Sequence, residues 1–234
     1  MLRPFARVAG EACLALTCLL ALGGCSSESR GMGETLRALN PLASDPTLAP
    51  LKPGFRYLRV TVNGEPSIWV LGYVEPDAKG PIEVWYSTRR EVLRLQDGRI
   101  TETAGLPVNW VRTSHQGAPG WHNLAQDERP MQWQRTRDLM PGYRFNIEDS
   151  LTLARTAPPA TTSLVGVEDS TLRWFEERTA GNDLPPARFA LERTTPGPGS
   201  IGRPTEGPIY GEQCLADALC LSWQRWPPAR AATP

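Results

Sequence analysis

The chain is 234 residues long and carries 25 basic and 25 acidic side chains, for a formal net charge of +0 at pH 7. Such a balance generates no global field to recruit nucleic acid or anionic lipid, so neither is expected as a partner of the folded part. Its length suffices for one sizeable core or two small ones.

The first segment is basic, then apolar. Arg3 and Arg7 precede Ala12 to Leu22, an almost wholly apolar run that closes on Leu22-Gly23-Gly24-Cys25. A basic start, an apolar stretch and small residues ahead of a cysteine are the parts of a cleaved lipoprotein signal. The run falls well short of the roughly 20 residues a helix needs to cross a bilayer, so residues 1–24 are expected to be removed. Cys25 then becomes the first residue and the site of lipidation. At about 0.8 kcal/mol per buried methylene, several acyl chains of the palmitate kind give lasting attachment where one gives only reversible binding. Ser26 and Ser27 follow with no aspartate, which favours the outer membrane. Residues 1–24 hold two arginines and one glutamate, so the remainder has a net charge of −1.

Residues 25–52, small, polar and proline-containing, read as the lipidated cysteine and its tether. From residue 53 the pattern turns to strands. Arg56 to Val62 alternates, Asn63-Gly64 supplies the positive φ values of a tight turn, and Ile68 to Val74 returns. Ile82 to Tyr86, Val92 to Leu95 and Arg99 to Thr103 make a second unit around Asp97-Gly98. Leu106 to His122 reads as irregular. Further strands are expected at Met131 to Asp138, Tyr143 to Ile147, Leu151 to Arg155, Ser163 to Val167, Thr171 to Glu177, Arg188 to Arg193 and Leu219 to Arg225. Short strands separated by turn residues predict an all-β fold over residues 53–226. It would be an antiparallel sandwich or a barrel-like meander of hairpins, in one β unit or two. Thr194 to Pro208, dense in Pro and Gly, reads as a long loop, and residues 227–234 as a disordered tail.

Few residues offer chemistry. Gly197 to Gly202 matches G-x-G-x-x-G, but its prolines forbid the helix that motif requires. His115 and His122 lack a metal-ligand spacing and read as solvated loop residues, so neither a metal nor a cofactor is expected. Glu148-Asp149, Glu168-Asp169 and Glu176-Glu177 are adjacent acids; neighbours on a strand face opposite ways, so none is a catalytic dyad by itself, and they read as turn ends and solvated strand faces. Cys214 and Cys220, the two cysteines after Cys25, are expected to pair in an oxidising compartment. Of eight tryptophans, Trp69, Trp85, Trp133, Trp174 and Trp223 fall in strand runs and are expected in a core. Trp110 and Trp121 fall outside them. With Arg112 they are the candidates for exposed contact with glycan or a protein partner.

Three stretches resemble the outer-membrane lipoproteins of the YjbF and GfcB type, which accompany exopolysaccharide and group 4 capsule systems. Trp85-Tyr86-Ser87 precedes a hairpin ending Asp97-Gly98-Arg99-Ile100, and Thr103-Ala104-Gly105-Leu106-Pro107 follows it. Arg137-Asp138-Leu139 with Pro141-Gly142-Tyr143-Arg144 forms the second stretch, and Leu221 to Pro227 the third. The resemblance implies that Trp85, Tyr86, Ser87, Gly98, Arg99, Gly105 and Leu106 build the fold and carry no chemistry. It also implies an all-β, periplasm-facing lipoprotein associated with polysaccharide export or surface assembly, and the leading expectation is a non-enzymatic accessory role with export proteins or the polysaccharide as partners. A periplasmic glycan hydrolase using a carboxylate pair and a general envelope scaffold are the alternatives.

Overall fold

The computed structural model describes residues 50–124, 129–181, 184–193 and 207–228. The lipobox, the tether up to residue 49, the G-x-G-x-x-G match and the last six residues lie outside them. Twelve strands follow in order: β1 Tyr57–Val62, β2 Glu65–Glu75, β3 Ile82–Tyr86, β4 Val92–Gln96, β5 Arg99–Ala104, β6 Asn109–Gln116, β7 Met131–Met140, β8 Arg144–Thr156, β9 Leu172–Ala180, β10 Ala187–Glu192, β11 Tyr210–Ala216 and β12 Leu219–Trp226. All twelve belong to one antiparallel sheet in the order β5-β4-β3-β2-β1-β12-β11-β10-β9-β8-β7-β6. The fold is a single nearly closed barrel of hairpins, not two β units.

Every strand pairs with its sequence neighbour except β5 with β6, and β1 pairs with β12 to bring the ring round. The seam between β5 and β6 is stitched by side chains. The Trp110 N–H donates to Thr103 Oγ1 at 3.0 Å, and the Asn109 amide bonds both the N–H and the C=O of Leu106. Gly105 makes the bend, at φ +79; a Cβ there would stand 3.0 Å from the Arg90 carbonyl oxygen. Asn63-Gly64 and Asp97-Gly98 turn their hairpins with both residues at positive φ, as the sequence requires.

Ring size explains the tryptophans. Eight strands enclose a space that ordinary side chains just fill, and a twelve-stranded ring is wider, so its lumen needs larger groups. Trp69, Trp85, Trp110 and Trp223 pack with Leu58, Val60, Leu93, Leu95, Ile100 and Leu221 in the main core. Gly211 leaves room for one of them: a Cβ there would sit 2.8 Å from the Trp223 ring. Cys214 and Cys220 face each other across β11 and β12 and form the disulfide.

Several expectations are corrected. Leu106 to His122 is not irregular: it contains β6 and one helical turn, α1, Trp121–Leu124. Polar side chains masked its alternation. Tyr143 to Ile147 and Leu151 to Arg155 are one strand, β8, because Glu148 and Asp149 pair with Thr136 and Arg135 and do not turn. β11 was hidden beside the Pro/Gly-rich stretch. Ser163 to Val167 is not a strand of the sheet. It lies as an extended strap against the barrel's outer face, where Gln224 uses its side-chain amide like a partner strand, accepting from Val165 N–H at 3.0 Å and donating to Val165 C=O at 2.8 Å. Leu164 and Val167 cover Leu172, Trp174, Ala190 and Tyr210 there.

Candidate functional site

Strand alternation places charge inside the barrel. On β7, Trp133, Arg135, Arg137 and Leu139 are all buried. Asp149 on β8 lies directly opposite Arg135, and Glu177 follows Phe175 on the same face of β9. The five ions connect in a row. Arg99 Nε stands 3.7 Å from Glu177, Glu177 is 3.7 Å from Arg135, and Asp149 holds Arg135 at 2.8 Å and Arg137 at 2.6 Å. Asp149 and Glu177 are therefore not solvated strand faces. Their adjacent partners, Glu148 and Glu176, face the other way, so neither adjacent pair forms a dyad.

Aromatic rings wall in this row. The Arg99 guanidinium lies 4.2 Å from the Trp121 ring centroid and 5.4 Å from that of Trp133, and Arg135 lies 4.6 Å from that of Trp110. Such stacking over desolvated indoles is worth up to about 2 kcal/mol per contact. Trp121 is pinned by its N–H to the Asp97 carbonyl at 2.7 Å and packs on Phe175 and Phe189.

The two acids respond in opposite directions. Burial pushes the Glu177 carboxyl up, and the charges of Arg99 and Arg135 only partly offset it. Burial also pushes Asp149 up, but hydrogen bonds and charge from Arg137 and Arg135 outweigh this and hold it below the usual carboxylate range. Three arginines thus face one firmly ionised carboxylate and one that resists ionisation, leaving the lumen positive. His115, opposite Arg135 on β6, is buried, not solvated. Burial and the charges of Arg99, Arg135 and Lys79 depress its pKa to about 3, so it is neutral at physiological pH.

Several polar atoms here lack a hydrogen-bond partner: Arg99 Nε, Glu177 Oε2, Thr113 Oγ1 and Trp133 Nε1. In a meander the connections alternate between the barrel's two ends. The β2–β3, β4–β5 and β6–β7 connections therefore share one end, where a cavity of about 250 Å³ opens onto Arg99. Lys79, Gln96, Asp97 and His115 also line it, and Gly117 and Ala118 leave the space clear. Gln96 is occupied with Asp77 and the Gly80 carbonyl, while exposed Lys79 donates to the His115 carbonyl at 3.0 Å. Among the described residues no group of His, Cys, Asp and Glu is arranged to hold a metal ion.

The contact residues expected from the sequence are not gathered on the surface. Trp110 is 1% exposed and Trp121 4%; both are lumen walls. Arg112 points outward and pairs with Asp138 at 2.8 Å, a β-bulge between Trp110 and Arg112 separating the two. An exposed aromatic pair, Tyr143 and Phe145, sits instead at the end opposite the cavity. Asp138 accepts the Asn146 N–H at 2.8 Å, which secures the turn holding Pro141-Gly142. Trp85, Gly98, Gly105 and Leu106 lie in core and turns, and Tyr86 and Ser87 at the end of β3, where Ser87 Oγ accepts from Arg89 and Glu91. Arg99 differs from the rest of that set: it lines the cavity. Sequence reasoning missed Arg135 and Arg137 as site residues and put Asp149 and Glu177 on turns or solvated faces, although Trp133-x-Arg135-x-Arg137-x-Leu139 already sets two arginines on an apolar face.

No curated protein matches the chain. Among solved structures, the hypothetical lipoprotein YmcC from Escherichia coli K12 aligns with a TM-score of 0.54 at 16% identity, covering 85% of this chain and 97% of that one. At that identity the likeness speaks for the fold. The family model described as group 4 capsule polysaccharide lipoprotein gfcB, YjbF, matches residues 55–184, a span running from the start of the barrel to the end of β9 and including all five lumenal ions. The chain belongs to the YjbF family of group 4 capsule polysaccharide lipoproteins.

Proposed function

We propose that the protein is an outer-membrane lipoprotein, anchored through lipid on Cys25 and facing the periplasm, that serves as a non-enzymatic accessory factor in exopolysaccharide or capsule export or assembly. Membership of a family named for capsule polysaccharide carries this reading. The Leu22 to Cys25 pattern supports the anchor. The lumen supports the non-enzymatic part. A carboxylate hydrolase needs one acid to donate a proton and another to attack or activate water, and both must reach the glycosidic bond. Asp149 is instead clamped by two guanidinium groups, and Glu177 is 1% exposed between Arg99 and Arg135. The partners in this reading are export proteins or the polysaccharide itself.

Two measurements test it. Cys25→Ala is expected to leave an unprocessed, mislocalised precursor and to lower surface polysaccharide in the producing cell. Normal maturation of that variant would sink the anchor. Incubating the purified protein with the cell's own polysaccharide is expected to leave chain length unchanged, whereas shortened chains would return the hydrolase.

A further inference from the structure

We infer that the cavity at the barrel mouth is a binding site for a single carboxylate group carried on a small ring, with Arg99 and Lys79 as its cationic contacts. Arg99 carries the argument. Its side chain is 2% exposed yet lines an open cavity. Of its five N–H groups, one donates to the Pro119 carbonyl at 3.1 Å and another to Asp97 at 3.3 Å, while Nε faces Glu177 at 3.7 Å, beyond hydrogen-bond reach. A buried guanidinium ordinarily fills its donors with carboxylate or carbonyl oxygens, and a planar fork stacked on an indole is preorganised for a carboxylate.

Size and charge narrow the ligand. Pockets for drug-sized molecules run from about 300 to 1,000 Å³. At about 250 Å³ this one holds one sugar ring or less. Its lining has two cations, Lys79 and Arg99, against one anion, Asp97. That excess of one suits a monoanion. A dianionic phosphate would leave one charge uncompensated beside Asp97. Neutral His115 offers a ring for hydrogen bonding and adds no charge. Gly117 and Ala118 put no bulk in the entrance. A hexuronic acid meets all these requirements, and its origin in the polysaccharide rests on the function proposed above.

The test uses the purified lipidated protein in detergent, titrated with glucuronate, glucose and inorganic phosphate, and read by saturation-transfer difference NMR and calorimetry. Glucuronate is expected to bind saturably, at least tenfold more tightly than glucose and more tightly than phosphate. Lys79 is exposed, so Lys79→Gln should fold normally and weaken glucuronate at least fivefold, while Tyr143→Ser, at the far end, leaves binding unchanged. Equal binding of glucose and glucuronate, tighter binding of phosphate, no saturable binding, or indifference to Lys79→Gln would each overturn the site. These binding outcomes are independent of the Cys25→Ala phenotype. A site that binds glucuronate in a protein without influence on surface polysaccharide would uphold this inference and remove the accessory role.

Discussion

The two sides of the lumen exclude water by different means. On β1 to β5 and β12, Leu58, Val60, Trp69, Trp85, Leu93 and Trp223 interlock as hydrocarbon and indole. On β6 to β9, the same kind of strand presents Arg135, Arg137, Asp149 and Glu177 beneath Trp110 and Trp133. Apolar contacts are non-directional, so the first side gains from burial with little demand on geometry. Ions in a low-dielectric interior regain what desolvation costs only when each has a partner at the right distance. That condition is half met: Arg137 to Asp149 is 2.6 Å, but both contacts of Glu177 are 3.7 Å. A well-packed hydrophobic lumen would hold the fold at least as well. The charged side thus contributes less to stability than its number of contacts suggests.

The sharpest way to break this contrast is to remove one ion. Asp149→Asn leaves Arg135 and Arg137 without their common carboxylate and is expected to cost about 3–5 kcal/mol, read from the urea midpoint. Replacing Arg135, Arg137 and Asp149 together by Met and Leu should instead leave stability unchanged or raised; a large loss from that triple variant would mean the ions hold the fold after all.

Acid should separate the two sides next. An unfolded histidine titrates near 6.5 and His115 in the barrel near 3. Between these values the unfolded chain binds a proton that the folded chain refuses, so stability falls as pH drops, by an amount on the order of 3 kcal/mol at pH 4. His115→Gln is expected to flatten the stability curve over that interval relative to the parent. Equal slopes in the two proteins would contradict the neutral, buried imidazole.

Smaller effects belong to the periphery. Replacing Cys214 and Cys220 by serine removes a short closed loop and should cost about 2 kcal/mol, measured by thermal unfolding with and without reductant. Arg112→Ala should change stability by less than about 1 kcal/mol, because its side chain is 71% exposed. A greater loss would give the Arg112 to Asp138 pair a weight its exposure denies it.

The hairpins were legible because local chemistry decides them. Asn63-Gly64 and Asp97-Gly98 accept positive φ wherever they stand, and the strands beside them alternate cleanly. Ring closure was not legible, since nothing near Tyr57 announces that its neighbour will be Trp226. The disulfide followed from compartment and count. The site was misread for a physical reason: Trp110 and Trp121 looked exposed because they sit among turn formers, whereas a wide lumen recruits large rings from any segment that reaches it. The same width turned Asp149 and Glu177 inward. Partnership between acids on β8 and β9 and arginines on β5 and β7 is tertiary, and no spacing along the chain encodes it.

The seam between β5 and β6 separates the order of the chain from the ring that it builds. Eleven ladders hold the barrel, and none crosses that seam. Tyr57 and Trp226 already face each other in β1 and β12. A circularly permuted protein, joined by a linker from after Trp226 to before Tyr57 and opened between Gly105 and Val108, would therefore begin with β6, end with β5 and keep every ladder. Its new termini would lie at the end opposite the cavity, so any segment fused to them would leave from the other mouth of the barrel.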